Sequence, residues 1–316
     1  AQGGQTLYVW LKGTDDGVDY GNRSSVSLYY DGAAPTAPTS ATGWDSSSKN
    51  TGYADDVWQN DDDNLYFEWS GAGDTGGSGL SGYSVYWGAS SSGEPGTTQE
   101  QSSASYDPGA FSGAYYLRVR AFDAAGNYSA AITLFTARYE NTAPSNPSRP
   151  ADPHCTMSDD AWQNTCSDPS FTWSGASDTG GSGLSGYSVY WGASSSGEPG
   201  TSQEQALAGY DPGAFSGVRY LRVRTFDAAG NYSAPTTLYA AKYDGQGPTG
   251  GAIAINNGAG STDSLVVTLN GLSAIDGQSG MGSGAQMRFS NDDAAWSAWE
   301  AYGSTKSNWD LSAYGG

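Results

Sequence analysis

The chain has 316 residues, a formal net charge of −20 and a single histidine, with 46 glycines and two cysteines. The negative charge argues against a nucleic-acid binder or a polybasic membrane-surface protein, because both need a positive field. One histidine and two cysteines are too few ligands for the usual zinc or redox sites, and the lack of an apolar run of about 18 residues predicts no membrane span.

The N-terminal segment, residues 1–37, aligns with the end of a repeat that occurs in full further along the chain. Its run QTLYVWL at residues 5–11 corresponds to YYLRVRA at residues 115–121, and its GNRS turn corresponds to a later GNYS. We therefore predict the last two strands of a module here. The segment lacks the basic start and apolar core of a signal peptide, so we expect a mature form, a fragment or a cytoplasmic chain.

Two full copies of one module follow, and we predict them at residues 38–144 and 145–248. The stretch DTGGSGLSGYSVYWGASSSGEPGT occurs at residues 74–97 and again, letter for letter, at residues 178–201, an offset of 104 residues. Each module ends in a related linker, which reads YDGAAPTAP, YENTAPSNP or YDGQGPTGG. A repeat of this length indicates domains in tandem.

The predicted strands of a module are short. In the first copy they are LYFEW, YSVYW, YLRVRA and ITLF, which are rich in β-branched and aromatic residues and are bounded by turn formers. Leu117, Val119 and Ala121 alternate with tyrosine and arginine, so we expect one face of that strand to be buried. Several such strands in about 105 residues, with no helical periodicity, predict an all-β fold of two-sheet sandwiches.

The last segment, residues 249–316, is predicted to be the N-terminal half of a further module. Its runs SLVVTL at residues 264–269 and AQMRFSND at residues 285–292 predict two successive strands. The two terminal segments together have nearly the length of one repeat. We therefore predict a third sandwich that is split between the N- and C-termini.

A split sandwich has a consequence for assembly, because a half-module exposes an apolar sheet face and an unpaired strand edge. We predict that the N-terminal hairpin of one subunit completes the C-terminal half-module of the next, which gives a head-to-tail homopolymer. Closure within one chain and an excerpt from a longer array stay open as alternatives. The residues expected at the polymerisation interface are Leu7, Val9, Leu11, Val26, Leu28, Tyr30, Val266, Leu269, Met287, Phe289 and Trp309.

The pattern of a module resembles a known group. Trp69, the run GYSVY at residues 82–86 and the YxLRVRA and AGN that follow resemble bacterial fibronectin type III or Ig-like modules of secreted and cell-surface proteins. The resemblance implies tandem β-sandwiches and an extracellular or cell-surface location. It departs at Tyr115 of the first copy, which is replaced by Arg219 in the second copy and by Gln5 in the split one.

An acidic cluster in the first copy offers the oxygen donors that calcium prefers. Its members are Asp55, Asp56, Asp61, Asp62 and Asp63. The second copy keeps only the first two of these carboxylates, and the cluster has no EF-hand spacing. A solvated acidic loop is therefore the preferred interpretation, with calcium as the alternative, and no other metal or cofactor is expected.

Two kinds of covalent modification are suggested by the sequence. Cys155 and Cys166 predict a structural disulfide in an oxidising compartment, because no histidine or third cysteine is placed to make the pair catalytic. Asn22, Asn127 and Asn231 each begin an N-x-S sequon and are candidate glycosylation sites. Asn also favours turns, which is the preferred interpretation of the second and third of these residues.

Catalysis and nucleotide binding are both disfavoured. A single histidine leaves little room for a Ser-His-Asp set, so we expect that the chain is not an enzyme. The run GSGLSG at residues 77–82 matches G-x-G-x-x-G but leads into no helix, which predicts an interstrand loop. Aromatic residues that could stack on sugars, with core packing as the alternative, are Trp87, Trp191, Trp296, Trp299 and Trp309.

The sequence therefore predicts a non-enzymatic extracellular fibre or stalk protein that polymerises through its split module. Its predicted partners are further copies of itself and, as an addition, cell-surface or matrix polysaccharide. Two alternatives are kept. One is a carbohydrate-binding or adhesive array, and the other is an accessory region of a secreted hydrolase.

Overall fold

The computed structural model describes residues 3–10, 23–148 and 154–312. None of these residues forms a helix that could cross a membrane. The first ten strands are β1 (Gly3–Trp10), β2 (Arg23–Tyr30), β3 (Ser40–Trp44), β4 (Gly52–Tyr53), β5 (Trp58–Gln59), β6 (Asn64–Ser70), β7 (Leu80–Gly88), β8 (Ser105–Ala110), β9 (Gly113–Asp123) and β10 (Ile132–Tyr139). The later strands are β11 (Trp162–Gln163), β12 (Phe171–Thr172), β13 (Leu184–Gly192), β14 (Gly209–Tyr210), β15 (Gly217–Asp227), β16 (Thr236–Tyr243), β17 (Thr249–Ile255), β18 (Val266–Ile275), β19 (Gln286–Met287), β20 (Glu300–Ala301) and β21 (Thr305–Asp310).

The first repeat is a sandwich of two four-stranded sheets. One sheet has the order β4-β3-β6-β8 and the other has the order β5-β10-β9-β7. The long strands β6 and β9 each lie between two antiparallel neighbours. In the lettering of immunoglobulin-like folds, β3, β6 and β8 correspond to A, B and E, and β7, β9 and β10 correspond to C, F and G.

The core of the first repeat lies between these two sheets. Leu65, Phe67 and Trp69 alternate with more exposed residues along β6, and all three are buried. Leu117 and Val119 on β9 are 0% exposed and belong to the same cluster. Each large apolar side chain removed from water contributes about 1.5–3 kcal/mol. The predicted alternation along these strands is confirmed, and it places a continuous apolar layer inside the sandwich.

The second repeat has the equivalent C, F and G strands in a sheet of order β11-β16-β15-β13. Its buried core includes Phe171, Leu221, Val223 and Tyr239. Where the first repeat has β3 and β6, the described part of the second has the short strand β12, which pairs with β14. The repeats therefore share the C, F and G sheet more closely than the opposite one.

The chain divides into two compact units. One comprises Ala1–Ser145, Ala176–Gly186 and Thr225–Ser233, and the other comprises Asn146–Gly175, Tyr187–Arg224 and Ala234–Gly316. The loop leading into β13 and the loop after β15 thus belong to the same unit as the first repeat. The predicted module boundaries, residues 1–37, 38–144, 145–248 and 249–316, are not tested by this division and stay predictions.

The C-terminal segment contains a sheet of order β17-β18-β21, which has the sequence order of strands A, B and E. Val267, Leu269 and Trp309 form a small core on it. The predicted strand over residues 285–292 is wrong for most of its length, because only Gln286–Met287 is a strand. Asp292 instead accepts backbone N–H groups that follow it, and such a turn ends the extended chain.

The N-terminal hairpin pairs β1 with β2 antiparallel, from Gly3 opposite Tyr30 to Trp10 opposite Arg23. Two paired strands here agree with the predicted F and G strands of a module. The prediction of an all-β fold built from tandem sandwiches is confirmed by the described strands. The division of a third sandwich between the two ends stays a prediction.

Candidate functional site

A carboxylate follows the last strand of each repeat, at the point where the linker begins. Asp31 follows β2, Glu140 follows β10 and Asp244 follows β16. In each case the carboxylate accepts a backbone N–H group from the glycine-rich loop of the next repeat. We call these three places the first, second and third junctions.

The first junction is a triad of Asp31, Asp74 and Asp123, whose carboxylate oxygens lie within 4.8 Å of one another. Asp74 accepts the Gly76 N–H at 2.7 Å, and Asp31 accepts the Ser78 N–H at 3.0 Å. These bonds attach the end of β2 to the loop that leads into β7. Asp123 comes from the end of β9, so three separate segments meet here.

Asn127 completes the first junction. Its backbone N–H donates to Asp123 at 2.8 Å, and its side-chain Nδ2 donates to the second oxygen of the same carboxylate at 2.8 Å. The same Nδ2 donates to the Asp31 carbonyl at 2.9 Å. Asn127 therefore links the loop after β9 to the preceding linker.

The second junction repeats this arrangement with Glu140, Asp178 and Asp227, whose carboxylate oxygens also lie within 4.8 Å of one another. The Ser182 N–H donates to Glu140 Oε2 at 2.8 Å. Asn231 Nδ2 donates to Asp227 at 2.8 Å and to the Glu140 carbonyl at 3.0 Å. All five residues belong to the same compact unit.

The second junction is buried more deeply than the first. Glu140 is 1% exposed and Asp227 is 2% exposed, whereas Asp31 is only half-buried. Asn60, from the loop after β5, donates its Nδ2 to Asn231 Oδ1 at 3.0 Å. Glu140 Oε1 is buried and has no hydrogen-bond partner among the residues that the structure describes.

The loop backbone stabilises the charged form of these carboxylates. Burial raises the pKa of Asp178, but the backbone N–H groups of Gly180, Gly183 and Gly181 outweigh it, so the pKa lies below its ordinary value. The backbone N–H of Ala33 is the main cause that lowers the pKa of Asp31. Both carboxylates are therefore anionic at neutral pH.

Glycine is required in the loop because the carboxylate packs directly on its backbone. A Cβ built on Gly180 would overlap Glu140 Oε1, and one built on Gly76 would overlap the Asp31 carboxylate. The G-x-G-x-x-G match is thus an interstrand loop, as predicted. Its N–H groups bind carboxylates of the chain itself.

The third junction has two carboxylates in the described chain, Asp244 and Asp276. The Ser279 N–H donates to Asp244 at 3.0 Å and to Asp276 at 3.1 Å. The backbone N–H of Gln246 is the first cause that lowers the pKa of Asp244. Strand F, which supplies the third acid at the other junctions, has no counterpart among the described residues of the C-terminal segment.

The predicted calcium candidates do not form such a cluster in the described residues. Asp55 accepts the Thr136 N–H at 2.7 Å, Asp56 pairs with Arg138 at 2.7 Å, and Asp62 accepts the Asn64 N–H at 2.8 Å. Each therefore has its own structural partner. Asp61 and Asp62 border a small cleft, but the carboxylate triads lie at the junctions and none of these candidates belongs to them. The sequence interpretation as a solvated loop fits these contacts better than calcium does.

The side-chain amides of the glycosylation candidates Asn127 and Asn231 are engaged within the fold, and glycosylation stays a prediction. The side-chain nitrogens of both residues donate to a carboxylate and to a backbone carbonyl, and Asn231 is 8% exposed. A glycan needs a free, exposed amide, so neither residue offers one in the fold. Asn22 lies outside the described residues. Cys155 and Cys166 form a disulfide, with Cα atoms 5.9 Å apart.

The residues predicted at the polymerisation interface fall into two groups. Leu7, Val26, Leu28 and Tyr30 on the hairpin are exposed, and the side chain of Val9 and all of Leu11 lie outside the described residues. In the C-terminal segment Val266 is exposed, and Met287 and Phe289 are half-buried. Leu269 and Trp309 are buried in that segment's own core, and their place at a polymerisation interface stays a prediction.

Some of the aromatic residues considered for sugar stacking are packed in the cores of the repeats, and others are exposed. Trp87 packs against Phe67 and Phe111, and Trp191 packs in the same way in the second repeat. Core packing is therefore the correct alternative for both. Trp296 and Trp299 are exposed, with the Arg288 guanidinium 4.7 Å and 4.5 Å from their ring centroids.

The junction triads were missed at the sequence level. The sequence did indicate that Asn127 lies in a turn, which is correct, but it did not connect this turn to the linker or to Asp74. A signal was present, because an acid follows tyrosine in all three linkers and Asp74 opens the repeated DTGGSG run. A comparison of the linkers with the loops would have suggested the triads.

The strand order defines the class of protein. The first repeat carries strands A, B and E in one sheet and C, F and G in the other, which is the arrangement of an immunoglobulin-like sandwich, and the second repeat has the same C, F and G sheet. No protein-family profile matches the chain. The class therefore rests on the strands themselves.

Comparison with curated proteins gives one relative. Over 161 residues, 50% of the chain, the sequence is 40% identical to Exoglucanase B of Cellulomonas fimi, and it spans 13% of that protein. The match covers a small part of the exoglucanase, so it carries none of that protein's activity over to this chain. This agrees with the prediction that the chain is not an enzyme.

Two solved structures are similar at low levels. The fibronectin(III)-like modules of Clostridium thermocellum CbhA are 18% identical with a TM-score of 0.29, over 61% of this chain and 93% of that one. The central fibronectin-III array of RIM-binding protein is 13% identical with a TM-score of 0.19, over 69% and 77%. At these scores the superpositions add nothing to the strand order.

Proposed function

We propose that the chain is a non-catalytic spacer array of a secreted carbohydrate-active protein. The observation that carries the proposal is the 40% identity over 161 residues to part of an exoglucanase. An exoglucanase acts on a glucan polymer, which is too large to enter a cell, and this supports an extracellular location. The tandem sandwiches would hold neighbouring modules of such a protein apart.

The chemistry of the chain supports spacing over ligand binding. The aromatic residues Trp87 and Trp191 are used in the cores of the repeats. The net charge of −20 keeps the surface soluble and self-repelling. The junction carboxylates attach each linker to the following loop, which suits a spacer whose repeats are held at defined positions.

The mature polypeptide tests the proposal directly. Peptides of this chain would be recovered from the culture medium and assigned by mass spectrometry to an intact protein. We expect a polypeptide well above 32.7 kDa that also carries a glycoside hydrolase domain. A mature secreted protein of 32.7 kDa with no further domain would overturn the spacer proposal.

Polysaccharide retention separates the spacer from the adhesive alternative. The 316-residue chain would be passed over microcrystalline cellulose and an insoluble matrix glycan, and we expect it in the flow-through. Retention that disappears in a Trp296→Ala, Trp299→Ala double variant would support a carbohydrate-binding array. Retention of wild type and variant alike would indicate non-specific adsorption and leave the spacer role in place.

Head-to-tail assembly is the second candidate. It is favoured by the exposed apolar residues Leu7, Val26 and Leu28 on a two-stranded hairpin and by the A, B and E strand order of the C-terminal sheet. The hairpin of one copy would supply strands F and G to the next. Light scattering and electron microscopy should then show fibres from the full chain, and fibres that persist after deletion of residues 1–31 would contradict this mode of assembly.

A further inference from the structure

We propose that the second junction is a calcium site, formed by Glu140, Asp178 and Asp227. The three carboxylates come from the end of β10, the loop before β13 and the end of β15. A bound cation would lock these segments together. The proposal does not depend on the spacer function, because it concerns only what the triad binds.

The first argument is uncompensated charge. The three carboxylates lie within 4.8 Å of one another, and two of them are almost fully buried. None of the ion pairs formed by the described residues involves any of the three. Buried carboxylates at this separation repel one another unless a cation or a shared proton lies between them.

The second argument is the free oxygen of Glu140. This side chain is 99% buried, since only 1% of its surface is exposed, and its Oε1 has no hydrogen-bond partner among the described residues. A buried acceptor without a partner is rare because it forfeits its interactions with water. Its other oxygen already accepts the Ser182 N–H, so Oε1 is the atom available to a ligand.

Calcium fits this donor set better than magnesium does. Calcium takes six to eight oxygens in flexible geometry, and three carboxylates with added water molecules meet that need. Magnesium demands a near-ideal octahedron, which three carboxylates that are each held by their own hydrogen bonds do not easily supply. The backbone N–H groups of Gly180 and Gly183 also hold the Asp178 carboxylate in place beside the other two acids.

The three junctions differ in the carboxylates that they could offer to calcium. The first junction has the same triad, but Asp31 is half-buried and both of its oxygens accept N–H groups. The third junction has two carboxylates in the described residues. We therefore expect the tightest calcium binding at the second junction, weaker binding at the first, and none at the third.

Calorimetric titration of the metal-free, 316-residue chain with calcium chloride tests the proposal. We expect at least one calcium per chain at neutral pH and a higher melting temperature in calcium than in EDTA, because a ligand that binds only the folded state stabilises it. The variant E140Q should weaken the tightest site at least tenfold. The control E204Q removes the same charge from a residue that accepts the Val189 N–H, and it should leave binding unchanged.

Terbium luminescence locates the ion without relying on a destabilised variant. Trp58 lies close to the junction, with its ring 3.6 Å from the Cβ position of Gly181, so it should sensitise bound terbium. W58F should weaken the emission and leave the terbium affinity unchanged. This readout is independent of whether E140Q folds.

Several outcomes would overturn the proposal. Wild-type protein that binds no calcium at millimolar concentrations would show that the triad is not a calcium site. A folded E140Q with wild-type affinity would remove the junction from consideration. Equal affinity for magnesium and calcium would contradict the assignment of the ion.

Discussion

The first and second junctions contain the same loop sequence and differ in the acid that docks on it. DTGGSGLSG opens with Asp74 in one repeat and Asp178 in the other, and the linker contributes Asp31 or Glu140. Glutamate is longer by one methylene, and its carboxylate is buried with an unpaired oxygen, whereas both oxygens of Asp31 have donors. The burial of the junction therefore differs although its docking loop is identical.

The largest expected difference between the junctions is at the loop glycine. Gly180→Ala should cost about 3 kcal/mol of unfolding free energy and Gly76→Ala about 1 kcal/mol, because the methyl group meets a buried glutamate in one case and a half-exposed aspartate that can move aside in the other. Urea unfolding followed by circular dichroism measures both. Equal losses would show that the depth of burial does not matter.

The asparagine that recurs in both repeats, Asn127 and Asn231, gives the next largest expected difference. Asn231→Ala removes hydrogen bonds to Asp227, to the Glu140 carbonyl and to Asn60, and we expect a loss of about 2 kcal/mol. Asn127 has no counterpart of the Asn60 contact among the described residues, so Asn127→Ala should lower the free energy of unfolding by about 1 kcal/mol. The same unfolding experiment compares them, and a larger loss at Asn127 would contradict the comparison.

The linker acid itself can be exchanged. Glu140→Asp shortens the side chain by one methylene and should cost about 1 kcal/mol in EDTA, through lost packing. In a calcium-containing buffer the loss of unfolding free energy should be larger than in EDTA if the ion is bound. A variant as stable as wild type under both conditions would mean that the extra methylene has no role.

Acid should weaken both junctions. The folded-state pKa values of Asp178 and Asp31 lie below the ordinary value of 3.8. Their contribution to stability is therefore fully present above about pH 4 and is lost as the pH falls through the lower folded-state values. Unfolding free energies measured from neutral pH down to pH 2 should decline in this window, and Asp178→Asn should reduce the decline. A decline that begins near neutral pH would point to other groups.

The smallest change in stability is expected at a pair of salt bridges that both repeats contain. Glu94 bridges Arg118 and Arg120 at 2.9 Å each, and Glu198 bridges the equivalent arginines at 3.2 Å. Both glutamates are exposed, so Glu94→Gln and Glu198→Gln should each cost less than about 1 kcal/mol. Thermal melts should show equal small shifts. A large shift in one repeat alone would mean that the repeats differ beyond their junctions.

The sequence allowed the fold to be predicted because its signals are local. Alternation along YLRVRA follows from strand geometry, and the letter-for-letter repeat requires a second copy of the same sheet. The strand predicted at residues 285–292 ends early, and the Asp292 side chain accepts the N–H groups of Ala294 and Ala295 in a turn that the sequence pattern did not indicate.

The candidate site was harder to predict because its parts are far apart in sequence. Glu140, Asp178 and Asp227 belong to three segments, and no short motif contains more than one of them. The calcium candidates at residues 55–63 lie close together in sequence and are therefore conspicuous, yet Asp55, Asp56 and Asp62 each bind a different partner. Contiguity of acids is a weaker guide to a shared site than their recurrence at corresponding positions of a repeat.

The two repeats contain the same loop sequence, DTGGSGLSG, at the place where the preceding linker is bound. At the first and second junctions an acid that follows the last strand accepts an N–H group from the same DTGGSG loop sequence, so a duplicated repeat would bring both halves of such a contact with it. The linker acid, Asp31 in one case and Glu140 in the other, is one of the positions at which the two junctions differ. An exchange of aspartate and glutamate at that position would therefore change how firmly a linker is attached to the following loop, without a change in the loop itself.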